Sequence, residues 1–228
     1  MSELNMATIT TRLRKETETL ADLLEWLGGI PPERVWMHPF PGTATEEDLI
    51  AILDGPNKRI CELVDGVLVE KPMGFKEGLL GSVIGHLIWA FLDRHNLGVA
   101  AGADGPVRLR LGLVRVPDVC FVSWKRIGGD EVPDDPISAI IPELAIEVLS
   151  KGNTPREIAL KLQEYFRAGV LVVWVINPKT QTAEVYTSPT RKRQIGKDGA
   201  LDGGAILPGF KLSLKDLFAR AKRRQGRK

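Results

Sequence analysis

The stretch from Pro142 to Asn177 constrains the fold more than any other part of the chain. It reads PELAIEVLSKGNTPREIALKLQEYFRAGVLVVWVIN. Its two ends, ELAIEVLS and LVVWVIN, are short apolar runs rich in β-branched residues, the pattern of buried strands. Between them Thr154 is placed to cap a helix, Pro155 suits the first helical position and Gly169 suits the stop. A strand–helix–strand unit closes as a right-handed crossover with its two strands parallel. The chain must therefore build an α/β sheet covered by helices.

The flanking segments fit around that unit. Residues 8–27 carry Leu13, Leu20, Leu23, Leu24 and Leu27 at helical spacing, closed by Gly28-Gly29. IPPERVWMHPFPGT is proline-rich and reads as a linker over the surface. TATEEDLIAILDG opens with Thr45 as N-cap and acids in the first turn. KRICELVDGVLVEKP reads as a hairpin turning at Asp65-Gly66. FKEGLLGSVIGHLIWAFLDRHNLG is a long helix, and GPVRLRL and VRVPDVCFVSW are strands. TAEVYT and GAILPGF add outer strands, and SLKDLFAR closes with a helix. The expected fold is α/β, a central mixed sheet flanked by helices, with an N-terminal helical arm. The expected division is a helix and proline-rich linker over 1–44, one domain over 45–218, and a basic tail over 219–228.

Glu147 is the anomaly in this pattern. In LAIEVLS, Leu144, Ile146 and Val148 share one strand face, and Ala145, Glu147 and Leu149 share the other. A buried carboxylate is costly unless something pairs with it or binds it. Asp118 follows Pro117 at the start of another apolar run, although aspartate is depleted in strands and Pro-Asp also suits a turn. Two acids on adjacent strands, facing one cleft, suit a hard divalent cation such as magnesium. Glu62 lies between Ile60 and Val64 on one face, which fits either an acid of the same cleft or an edge strand facing water. Lys161 shares a half-apolar helix face with Glu157, Ile158, Tyr165 and Ala168. It is either an ammonium beside the acids or a lysine snorkelling from the core edge.

Composition excludes several classes. Cys61 and Cys120 are the two cysteines, each in an apolar run, and no CxxC or His/Cys cluster suggests zinc. The apolar runs read as too short to span a bilayer, and the first residues lack a signal-peptide pattern, so the expected location is cytoplasmic. A net charge of +2 gives no strongly basic surface. Basic residues concentrate in TRKRQ and in the tail RAKRRQGRK, which reads as a solvated end.

These residues carry a resemblance. Asp118 in VPDV and Glu147 in IEVLS look like the core of the PD-(D/E)xK nuclease superfamily, whose motif puts a lysine two residues after the glutamate. Leu149 stands there instead. The ordered set CELVDGVLVE, RVPDVCFVS, PELAIEVLS, KLQEYFRAGVLVVWVINP and LPGFKLSLKDLF, spanning Thr45 to Phe218, resembles the Uma2 (DUF820) endonuclease family. There the lysine moves to the following helix, matching Lys161 in KLQEY. The resemblance implies a restriction-endonuclease-like fold and a metal-dependent endonuclease acting on DNA. Asp118 and Glu147 would be ligands of Mg2+ (Mn2+ also serving), Lys161 would assist the water, Glu62 would be an accessory acid, and Tyr165 would fix Lys161. A homodimer follows if both strands of a duplex are cut. The alternative is an inactive nuclease-fold module that binds nucleic acid or protein. In one departure, a histidine that many relatives carry early in the long helix is missing. His86 comes about two turns later, inside an apolar helix where a lone histidine reads as a core or interface residue.

Overall fold

The computed structural model describes residues 17–56 and 59–222. Residues 8–16 of the first predicted helix, and the basic tail beyond residue 222, lie outside them. The helices are α1 (Leu20–Trp26), α2 (Glu46–Leu53), α3 (Phe75–His95), α4 (Trp124–Ile127), α5 (Pro155–Ala168) and α6 (Leu214–Ala221), with a 3-10 turn at Pro32–Arg34. The strands are β1 (Cys61–Val64), β2 (Val67–Glu70), β3 (Gly98–Ala101), β4 (Val107–Arg110), β5 (Leu113–Arg115), β6 (Val119–Ser123), β7 (Leu144–Val148), β8 (Val172–Asn177), β9 (Thr182–Tyr186), β10 (Lys192–Ile195), β11 (Ala200–Asp202) and β12 (Lys211–Ser213).

The strand–helix–strand unit is the centre of the molecule. β7 and β8 pair in parallel across the α5 crossover, inside a six-stranded sheet of order β10-β9-β8-β7-β6-β3 whose other pairs are antiparallel. α5 begins with the full capping box: Thr154 accepts from the Glu157 amide, Glu157 reaches back, and Gly169 ends the helix with φ 105°. One sheet face, with Val119, Phe121, Leu144, Ile146, Val148 and Trp174, packs on α3 and α6. The other face, with Cys120, Ala145, Val173 and Val175, packs on Leu162 and Tyr165 of α5 and on a second sheet.

That second sheet was not expected. Its order is β2-β1-β5-β4, and it splits the run VRVPDVCFVSW in two. β5 ends at Arg115 in the small sheet and β6 starts at Val119 in the large one. Pro117, between them, has no N–H to continue a ladder, and the chain changes sheets there. One further expectation fails: GAILPGF is a turn between β11 and β12, not a strand. β3 (Gly98–Ala101), which the sequence reading did not single out, pairs with β6.

The proline-rich stretch is not simply draped on the surface. Ile30, Arg34 and Val35 are buried, and Val35 bridges to Val69. Arg34 clamps Glu157 with two hydrogen bonds of 2.6 and 3.0 Å and donates to the Gly152 carbonyl. α3 is long and apolar enough, by length and composition, to cross a membrane, contrary to the reading of short apolar runs. Its stripe Leu80, Ile84, Ile88 and Leu92 is instead packed in the core, while His86 is exposed rather than a core residue.

Removing one partner of a buried ion pair strands the other. Arg34→Ala is expected to cost about 3–5 kcal/mol, read as a lower urea midpoint with an unchanged slope. Loss of well under 1 kcal/mol would show that the segment does not hold α5.

Candidate active site

The site grows from the pairing of β6 with β7. Val119 lies opposite Ile146, so Asp118 and Glu147 come opposite each other and share a face. Asp118 stitches the strands: its amide donates to the Ile146 carbonyl at 3.0 Å, and its Oδ2 accepts from the Val148 amide at 2.6 Å. Glu147 is flanked on the other side by Val175 of β8. The face they share is the one covered by α5.

Lys161 projects from α5 onto that face and is 1% exposed. Its Nζ donates to Glu62 Oε1 at 2.9 Å and to Glu147 Oε1 at 3.5 Å. Glu62, 0% exposed, comes from β1 of the small sheet and accepts also from Arg115 Nη1 at 2.7 Å and from the Val116 amide at 3.2 Å. Of the two readings of Glu62, the water-facing edge strand is ruled out: β1 is an inner strand between β2 and β5. Lys161 likewise does not snorkel, since its head lies inside the protein between two acids.

Tyr165 differs from its expected role. One turn beyond Lys161, its hydroxyl donates to Glu147 Oε1 at 2.6 Å, so it holds the glutamate directly. Two basic residues escaped the sequence reading. Lys71, just past β2, donates to Asp118 Oδ1 at 2.8 Å and to the Val116 carbonyl. Arg115 links Glu62 to Glu164, with Nε 2.7 Å from Glu164 Oε2. The signal for Arg115 was present: its parity on β5 matches Leu113, which faces the same interior as Glu62. Lys71 offered none, because it lies beyond the strand end, where parity is lost.

The two glutamates that share Lys161 are displaced in opposite directions. Burial pushes Glu62 up, but Lys161, Arg115 and Lys71 outweigh it and hold Glu62 far below the usual carboxylate range. Burial also pushes Glu147 up; there Lys161 and Lys71 do not compensate, Asp118 and Glu62 add repulsion, and the group stays raised. For Lys161, burial opposes charge, yet Glu147 and Glu62 carry it above its ordinary value. Burial, then Glu147 and Glu62, keep the Tyr165 hydroxyl protonated well beyond its usual range. The arrangement is a fixed anion (Glu62), a fixed cation (Lys161), and a carboxylate beside them, Glu147, that takes up a proton more readily than an ordinary one.

Of the network, Lys71, bonded to Asp118, lines a groove of about 950 Å³ together with Arg34, Phe75, Lys76, Ser150, Lys151 and Gly152 among others, and the four candidate site residues themselves are buried. A larger divalent cage is absent: among the described residues no group of three or more His, Cys, Asp or Glu side chains could hold a metal ion. Asp118 and Glu147 form a two-carboxylate oxygen set. Glu147 Oε1 carries Lys161 and Tyr165, while Oε2 accepts no hydrogen bond among the described residues. That set fits magnesium, which keeps several waters and takes one or two carboxylates. Cys61 and Cys120 are both buried and free, and burial lifts their thiols to about 12 and about 11, as expected for inert packing residues.

Comparison with known proteins agrees with this layout. The sequence model of a family named Uma2, described as "Putative restriction endonuclease", matches residues 47–215. Among solved structures, one from Anabaena variabilis ATCC 29413, titled a putative nuclease belonging to DUF820, superposes with a TM-score of 0.62 at 23% identity. The match covers 72% of this chain and 92% of that one, and shows the same restriction-endonuclease-like fold. A search of curated proteins finds no match.

Two outcomes follow from the ion network. Lys161→Met leaves Glu62 and Glu147 without their ammonium and is expected to cost about 3–5 kcal/mol in denaturant unfolding; a neutral result would mean that the buried lysine holds neither acid. The second concerns acid. Because the folded value of Glu62 lies below its ordinary 4.5, its stabilisation is full above that pH and is lost as pH falls toward the folded value. The stability gap between wild type and Glu62→Gln should therefore shrink steadily below about pH 4.5. A gap independent of pH would show that Glu62 is not held as a carboxylate.

Proposed function

Because this chain belongs to the Uma2 family, we propose that it is a metal-dependent endonuclease that hydrolyses phosphodiester bonds in DNA. The observation that carries this reading is the convergence of Glu62, Asp118, Glu147 and Lys161 from separate elements, with Asp118 joined through Lys71 to a solvent-open groove. Asp118 and Glu147 would hold magnesium, with manganese as a substitute. Such an ion lowers the pKa of a bound water and stabilises negative charge gathering on a phosphoryl group.

The chain's own residues do the rest. Glu62, kept ionised by Lys161 and Arg115, anchors the ammonium. Tyr165 fixes one oxygen of Glu147 and leaves the other available. Lys161 replaces the lysine that the simple motif would place at residue 149. Its ammonium is held between the acids, where it offsets charge on the reacting phosphate. Cutting both strands of a duplex takes two such sites, so a homodimer belongs to this reading.

A second reading, a nuclease fold that binds without cutting, draws on one observation. Among the described residues the eight buried charged ones are four acids (Glu62, Asp118, Glu147, Glu157) and four bases (Arg34, Lys71, Arg115, Lys161), so no further cation is needed for balance.

The two readings separate with supercoiled plasmid in magnesium, manganese or EDTA. The nuclease reading expects metal-dependent nicking, lowered at least about 100-fold in Glu147→Gln and in Lys161→Met. Salt-sensitive DNA binding with no nicking in either metal would favour the second reading. Residual nicking equal in wild type and both variants would remove the site from the reaction.

A further inference from the structure

We infer that Lys71 is a built-in competitor for the divalent cation: its ammonium holds the Asp118 oxygen that the ion would take. This rests on the reading of Asp118 and Glu147 as metal ligands.

The geometry is specific. Lys71 leaves the small sheet just past β2, where its backbone amide donates to the Ile60 carbonyl at 2.8 Å and fixes the start of the side chain. The side chain is 4% exposed and ends 2.8 Å from Asp118 Oδ1. Asp118 Oδ2 already accepts from the Val148 amide. Both oxygens of this carboxylate are therefore engaged, whereas Glu147 keeps Oε2 free of hydrogen bonds among the described residues. An incoming ion finds one ligand open and one held by a positive charge.

Lys71 also differs in position from the other cations of the cluster. Lys161 and Arg115 do not line the groove that Lys71 lines. Arg34 lines it, but is bound to Glu157. Lys71 alone touches both an acid of the pair and the groove. Two positive charges at contact distance repel strongly in a partly dehydrated site, so an ammonium and a divalent ion on one carboxylate oxygen exclude each other. The four-carbon stem lets the ammonium swing into the groove, where Lys76, Ser150 and Lys151 stand. Divalent binding is then an exchange, and the free protein binds the ion weakly because Lys71 must first leave.

The test is manganese alone, titrated into the full chain and followed by the electron paramagnetic resonance signal of the free ion. The proteins are wild type, Lys71→Met, Lys71→Gln, Lys71→Arg and Asp118→Asn. Both neutral variants should bind manganese about tenfold more tightly or better, and Lys71→Arg should stay near wild type. The two neutral variants differ in shape and polarity, so a folding defect in one leaves the other to report, and thermal unfolding without metal identifies the folded ones. If neutral variants bind like wild type or more weakly while Asp118→Asn loses binding, Lys71 is no competitor, and the proposed metal site stands. If Asp118→Asn also binds like wild type, no cation sits on Asp118, and both the inference and the metal assignment fail.

Discussion

Lys161 holds its ammonium 2.9 Å from Glu62 and 3.5 Å from Glu147, with almost no access to water. The interior depends on this contact. Taking three charged groups out of solvent costs several kcal/mol each, roughly, and only close pairing repays it. The pairing joins three parts of the fold: Glu62 on the small sheet, Glu147 on the large sheet and Lys161 on the crossover helix. Arg34 with Glu157, and Lys71 with Asp118, extend the same principle to the N-terminal segment and the groove.

On the proposed reading, this explains how the site can lack a lysine two residues after the glutamate. Leu149 is the second residue after Glu147, and it packs against the apolar cluster between the sheets. The helix that follows brings Lys161 back to the same carboxylate, because α5 starts at a fixed cap and lies on the same sheet face. The proposed chemistry would need an ammonium near the glutamate, not a particular spacing in sequence. The opposite displacements of Glu62 and Glu147 follow from the same placement. Glu62 sees Lys161 and Arg115 at hydrogen-bond distance. Glu147 receives its short contact, 2.6 Å, from the neutral hydroxyl of Tyr165, with Lys161 at 3.5 Å, and has Asp118 across the strand pair.

Much of this was legible in the sequence. The crossover unit, its capped helix, the face shared by Ala145 and Glu147, and the hairpin at Asp65-Gly66 all rest on local rules, and local rules held. The four site residues named from the sequence do converge. The failures share a cause in long-range pairing. VRVPDVCFVSW has one continuous strand pattern, and only the partners on either side of Pro117 divide it between two sheets. Tyr165 was read as a support for Lys161 because the two are one turn apart, yet its hydroxyl reaches across to Glu147. Lys71 was invisible because its partner, Asp118, is 47 residues away. The proline-rich segment looked like surface until Arg34 found Glu157, more than 120 residues on.

The central claim is that one buried lysine leaves its two glutamates with opposite proton affinities. A carboxyl-carbon NMR titration of Glu62 and Glu147 in the intact protein tests it most directly. The account predicts that Glu62 stays ionised to the acid limit of folding, while Glu147 takes up its proton above the ordinary 4.5. In Lys161→Met, Glu62 should move upward toward the value of a buried acid. If both glutamates titrate together near 4.5, or if Glu147 is the one held low, the network does not work as described, and Glu147 has no distinct role at the site.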